Sequence, residues 1–125
     1  MNALYLESTE DSPKVFLDYS SGKLSIVGRS FMEDTAPFHQ AIVGWLRTYF
    51  QSPQKETFLD LEMEYLNTSS TKMLLDILFE LNKFFIFGNK IMVRWKYDPD
   101  DEDMAELGKE IADMVDVPFE HVVYS

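Results

Sequence analysis

The chain contains no cysteine, and that one absence excludes disulfides, iron–sulfur clusters, thiolate zinc sites and cysteine nucleophiles together. A cysteine-free chain also suits a reducing compartment. Bases are scarce: 11 Lys and Arg against 22 Asp and Glu, for a net charge of −11. Nucleic-acid readers and proteins that dock on anionic lipid need a basic footprint, so neither class fits. The only histidines are His39 and His121, with no i, i+4 pair and no carboxylate signature beside them, which gives little for metal binding or acid–base catalysis. The five glycines (Gly22, Gly28, Gly44, Gly88 and Gly108) fall into no Walker loop, GxSxG or GxGxxG arrangement. The most apolar stretch, Met73 to Phe87, is broken by Asp76, Glu80, Asn82 and Lys83 and is too short and too polar to span a bilayer. Met1 to Glu7 carries neither a basic region nor a long apolar one, so no signal peptide is expected. The expectation is a soluble, cytoplasmic protein without catalytic residues, cofactor or metal.

What is present describes a folding domain. At 125 residues, 46% apolar and 14% aromatic, the chain has the length and composition for one core and a single domain spanning 1–125. Leu4-Tyr5-Leu6 reads as a short strand. Val15-Phe16-Leu17 and Leu24-Ser25-Ile26-Val27 flank Ser20-Ser21-Gly22 and predict a hairpin. Thr35-Ala36-Pro37 opens a first helix, whose Phe38, Ile42, Trp45, Leu46 and Tyr49 share a face, and Ser52-Pro53 closes it. Phe58 to Leu66 alternates: Leu59, Leu61, Met63 and Tyr65 point to the core, Asp60, Glu62 and Glu64 to water. A second helix carries Leu74, Ile77, Leu78, Leu81, Phe84 and Phe85 on one stripe and stops at Gly88-Asn89. Ile91, Val93, Trp95 and Tyr97 then form a strand, and strand–helix–strand over this length predicts a parallel crossover. If its two strands are neighbours, Asp60, Glu62 and Glu64 lie near Arg94 and Lys96. Asp98 to Asp103 opens a third helix, with Met104, Leu107, Ile111, Met114 and Val115 inward, and Phe119 to Tyr124 is a last strand or an apolar tail. The fold class is α/β (α+β): a mixed sheet with about three helices, mainly on one face, because two strands show a wet side.

The segment from Asn67 to Lys72, read as a loop between a strand's carboxyl end and a helix's amino end, is the most informative. Crevices there are the usual ligand position in α/β sheets. Thr68, Ser69, Ser70 and Thr71 are four consecutive hydroxyl residues, and a cap with a Ser/Thr turn uses one or two of them. The other reading is a phosphoacceptor at Thr68 or Ser69, where a phosphate meets free backbone N–H groups at a helix start, with Lys72 near. Asp98, Asp100, Asp101, Glu102 and Asp103 invite a calcium reading, but Asp103 stands where an EF-hand loop needs glycine. An acidic first turn capped by Asp98 explains the same residues, and a docking patch for a basic partner is a third reading. Phe84-Phe85-Ile86-Phe87 reads either as an exposed patch or as a helix end buried on both sides.

Tyr65-Leu66-Asn67-Thr68-Ser69-Ser70-Thr71-Lys72 resembles the signature of the SiaC family of regulatory phosphoproteins. Ser30 to Asp34, Trp45-Leu46, Val93 to Asp98, Asp101 to Gly108 and Pro118-Phe119 extend the resemblance over essentially the whole chain. It implies a STAS-like fold of the anti-sigma-factor-antagonist type, with Thr68 at the phosphorylated position and Asn67, Ser69, Ser70, Thr71 and Lys72 shaping a protein-binding loop. The partners implied are a Ser/Thr kinase of the SiaB type, a PP2C-like phosphatase of the SiaA type and a diguanylate cyclase, whose activation promotes cyclic-di-GMP synthesis and biofilm formation. A constitutive adaptor, or a small metal-dependent enzyme built on the 98–103 acids, are the alternatives.

Overall fold

The computed structural model describes residues 1–124. Six strands and three helices follow one another as β1 (Leu4–Leu6), β2 (Lys14–Asp18), β3 (Lys23–Ser30), α1 (Ala36–Tyr49), β4 (Thr57–Leu66), α2 (Thr68–Ile86), β5 (Ile91–Tyr97), α3 (Glu102–Ala112) and β6 (Phe119–Val123). The strands lie in one sheet in the order β1-β2-β3-β4-β5-β6. β1, β2 and β3 pair antiparallel, and β3, β4, β5 and β6 pair parallel. Each helix therefore serves one parallel crossover. Crossovers of one hand that all step in the same direction keep their helices on one face.

The register shows which face that is. Val15 lies opposite Ile26 and Leu17 opposite Leu24; Leu24 and Ile26 meet Leu59 and Leu61, which meet Val93 and Trp95. All of these are buried. Ile42, Val43 and Leu46 of α1, Met73, Leu74, Ile77, Leu78 and Leu81 of α2, and Met104 and Ile111 of α3 complete this core. Among the described residues the helices pack on this core, and the opposite face of the sheet carries the charges. There Arg94 donates to both carboxylate oxygens of Asp60, which also holds Lys96 at 3.3 Å. The expected neighbourhood of Asp60 with Arg94 and Lys96 is therefore present. Glu62 lies in register with Lys96, while Glu64 turns to Arg29 at 3.7 Å. Across the helical layer Arg47 of α1 donates to Glu80 of α2 at 2.9 Å. That hydrogen bond is the main cause holding the Glu80 carboxyl below its usual range, against the opposing effect of burial.

Five local expectations need correction. Tyr65 faces water, 44% exposed, because the β3–β4 register slips between Gly28 and Arg29. Gly28 pairs with Met63 and Arg29 with Tyr65, so Glu64 is an extra residue that turns the alternation over and sends Leu66 inward in Tyr65's place. Gly28 sits at φ +128°, a conformation that glycine takes without steric cost. The segment 67–72 is not a loop, since α2 begins at Thr68 and only Asn67 stands before it as the cap. The α3 cap is Asp101, whose carboxylate accepts from the Met104 N–H at 3.0 Å, whereas Asp98 closes a turn onto the Asp100 N–H. Met114 lies beyond the helix end at Ala112 and is exposed. The aromatic run divides: Phe84 and Phe85 pack on the core, and Ile86 and Phe87 stand in water. No helix among the described residues is long and apolar enough to cross a membrane.

Candidate functional site

The carboxyl ends of β3 and β4 meet the amino end of α2, and Asn67 ties all three together. Its backbone N–H donates to Ser30 O at 3.1 Å, and its side-chain amide N–H to Met32 O at 3.0 Å. Its side-chain carbonyl accepts from Ser70 N–H at 2.9 Å, the bond of an N-cap to the third helical residue. Its backbone carbonyl receives both the N–H and the hydroxyl of Thr71, at 2.9 and 3.0 Å. Ser70 turns inward: its hydroxyl is fully buried and shares a 2.6 Å hydrogen bond with the buried Ser30 hydroxyl.

The hydroxyl row thus separates by role. Ser70 and Thr71 are committed inside the cap, whereas Thr68 and Ser69 are exposed. Thr68 and Ser69 are the first two helical residues, whose N–H groups have no partner one turn earlier. Anions are favoured at such an end. Ser69 and Lys72 open on a groove of about 320 Å3 shared with Glu33, Thr35, His39 and Asp76. The helix start that the sequence singled out is therefore real, with two of its hydroxyls accessible and two occupied.

Two features beside it escape a reading by pattern. Phe31, which follows β3, stacks on Tyr65 with ring centroids 4.6 Å apart and planes 21° from parallel, and both rings are 44% exposed. The bulge at Glu64 makes this pair, and the Gly28-Arg29 step is the only hint of it in the sequence. Next to Glu64 a cleft of about 640 Å3 is lined by Asp98, Asp100, Asp101, Glu102, Asp103 and Tyr124. Burial first, then Glu62, Asp98, Glu64 and Asp101, push the Tyr124 phenol above its ordinary pKa. Among the described residues no three His, Asp or Glu side chains converge in a metal-holding arrangement. Of the acids of 98–103, Asp98 closes a turn onto the Asp100 N–H and Asp101 caps α3.

Residues 6–124 match the model of the family described as SiaC family regulatory phosphoprotein. This chain belongs to the SiaC family. A protein of Pseudomonas aeruginosa strain UCBPP-PA14, PA14_02130, is 33% identical over 119 residues, covering 95% of this chain and 94% of that one. The crystal structure of apo-SiaC from Pseudomonas aeruginosa superposes with a TM-score of 0.88 at 31% identity, over 98% of this chain and 99% of that one. A chain in the crystal structure of the diguanylate cyclase SiaD in complex with its activator SiaC, from the same organism, superposes with a TM-score of 0.90 at 31% identity, over 97% of this chain and 99% of that one. The mixed six-stranded sheet with three helices is thus the SiaC fold.

The buried Ser30–Ser70 pair makes a stability prediction for this SiaC-family chain. Ser70→Ala leaves the Ser30 hydroxyl buried without a partner and should cost about 1–3 kcal/mol, whereas replacing both serines by alanine should cost clearly less than Ser70→Ala alone. Urea unfolding of the two single variants and the double variant measures the difference. Additive losses would show that the two hydroxyls do not depend on each other.

Proposed function

We propose that this chain is a non-enzymatic phospho-switch that, when unmodified, binds and activates a diguanylate cyclase. Through it the chain promotes cyclic-di-GMP synthesis and biofilm formation. A Ser/Thr kinase of the SiaB type modifies Thr68, and a PP2C-like phosphatase of the SiaA type restores the free hydroxyl. The observation that carries the reading is the placement of Thr68: it is exposed at the first position of α2, in the family's hydroxyl row, while Ser70 and Thr71 are engaged in the cap. The activator role is supported by the fold shared with SiaC, which is solved in complex with SiaD.

The placement also favours a particular mechanism. A phosphate carries about −1.5 to −2 charge, and at a helix start it gains roughly 0.3–2 kcal/mol. That is too little to refold a domain whose cap is already closed by Asn67. An unpaired charge trapped in an interface costs several kcal/mol. Phosphorylation therefore acts on docking and leaves the fold intact. Asn67 and Ser70 hold the helix start in place from inside, and Ser69 and Lys72 shape the surface around it.

Mass spectrometry of the protein after incubation with its cognate kinase tests the site. The expected product carries one phosphate, on Thr68. Modification confined to Ser70 or Thr71 would overturn the assignment and require the cap to open first.

A further inference from the structure

We infer that the stacked Phe31–Tyr65 pair and the adjoining acidic cleft form one docking surface, and that it receives a segment of the cyclase carrying an apolar anchor rimmed by Lys or Arg. This rests on the cyclase reading above and names the surface and the partner chemistry for it.

Several features support the inference. Two large rings stack in water, each 44% exposed, where the β-alternation would bury Tyr65 if the strand ran regularly. The bulge at Glu64 places that ring outside instead. Aromatic residues that are rigid and already ordered lose little entropy on docking and are the commonest interface anchors. Tyr65 lies three residues before Thr68 and two before the cap Asn67, so the pair sits on the same edge as the proposed phosphate. Glu64 joins the rings to the cleft, whose lining adds Asp98, Asp100, Asp101, Glu102 and Asp103. Arg29 lies on this border and is held by Glu64. An anionic partner would be repelled along this whole edge, and a plain apolar one would leave the acids unused. A second copy of this chain, with its own charge of −11, would bring like charge to like. A cationic rim around an apolar anchor satisfies both parts. The acids would steer its approach, and the rings would retain it, with an Arg plane able to stack on Tyr65.

The test uses the full chain and the Pseudomonas aeruginosa cyclase SiaD as the probe, with association and dissociation followed separately at two salt concentrations. Phe31→Ala with Tyr65→Ala should weaken binding by about thirtyfold or more, mainly through faster dissociation. Tyr65→Phe, which keeps the ring, should bind as the parent does. Asp100→Asn with Glu102→Gln and Asp103→Asn should slow association about tenfold at low salt and flatten the salt dependence. Thermal unfolding of each variant checks that the fold persists. Parent-like binding by the alanine pair overturns the inference, as does an unchanged association rate in the neutralised cleft. It is also overturned if the alanine pair breaks up a homodimer while SiaD binding is untouched, since the occupant is then a second copy. Failure of the unmodified parent chain to bind SiaD is visible before any variant is made and counts against the cyclase reading itself.

Discussion

Stoichiometric phosphorylation of Thr68 should reduce affinity for the cyclase by a hundredfold or more while moving the melting temperature by only a few degrees. The two halves of this expectation have separate causes. At the helix start the phosphate finds first-turn N–H groups that have no acceptor within the helix and the positive end of α2, so the free protein tolerates it and gains at most about 2 kcal/mol. In a docked complex the same group must leave water beside Phe31 and Tyr65, on an edge already carrying Glu33, Asp34 and Glu64. An uncompensated buried charge costs about 3–5 kcal/mol, and 1.4 kcal/mol is a factor of ten in affinity. Thr68→Ala should fold and bind like the unmodified chain, since Thr68 is exposed and the helix cap is made by Asn67. Thr68→Asp should fall between, because it carries one charge without the phosphate's size or geometry. Calorimetric titration of the cyclase with the unmodified, phosphorylated and substituted chains reads all four. Equal affinity for the phosphorylated and free forms would rule out a docking block.

Gly108→Val should destabilise the protein by about 3 kcal/mol or more, the largest single-site effect expected away from the switch. Gly108 lies on the buried side of α3, directly against the indole of Trp95 on β5. A Cβ there would stand 2.5 Å from both Cδ1 and Nε1 of that ring. The ring cannot move aside cheaply. It is 1% exposed, and its N–H donates to Met104 O at 3.0 Å, so α3 holds the same indole that a side chain at 108 would displace. Even Gly108→Ala should lose. Its helix-propensity gain of about 1 kcal/mol is smaller than the roughly 1–3 kcal/mol of overpacking, to which a stretched Trp95 hydrogen bond adds. Gly44 supplies the contrast. It sits on the exposed side of α1 with nothing within 4 Å of a built Cβ, so Gly44→Ala should stabilise by up to about 1 kcal/mol. Urea unfolding followed by tryptophan fluorescence compares the variants. A stabilised Gly108→Ala would mean that α3 can withdraw from β5 without cost.

The comparison of the two glycines also marks how far a reading of the chain can go. Periodicity named the three helices and the strands before them, and left only Phe119 to Tyr124 open between a strand and a tail, because an apolar repeat of two or of 3.6 is a property of adjacent residues. The pairing of Val15 with Ile26 and of Asp60 with Arg94 followed from the same alternation once the strands were placed side by side. The hydroxyl row at 68–71 was visible as well, since composition alone makes it unusual. Its division into outward and inward groups was not. Whether Ser70 points to water or to Ser30 depends on where β3 ends, forty residues earlier in the chain. The same limit hid the Tyr65 ring, because a bulge is a mismatch between two strands and neither strand records it by itself. Likewise Asp98 and Asp101 are equally good caps as residues, and only the structure gives the helix cap to Asp101 and the preceding turn to Asp98. Local order was thus written in neighbouring residues, and what each exposed or buried side chain does was settled by segments that meet only when the sheet closes.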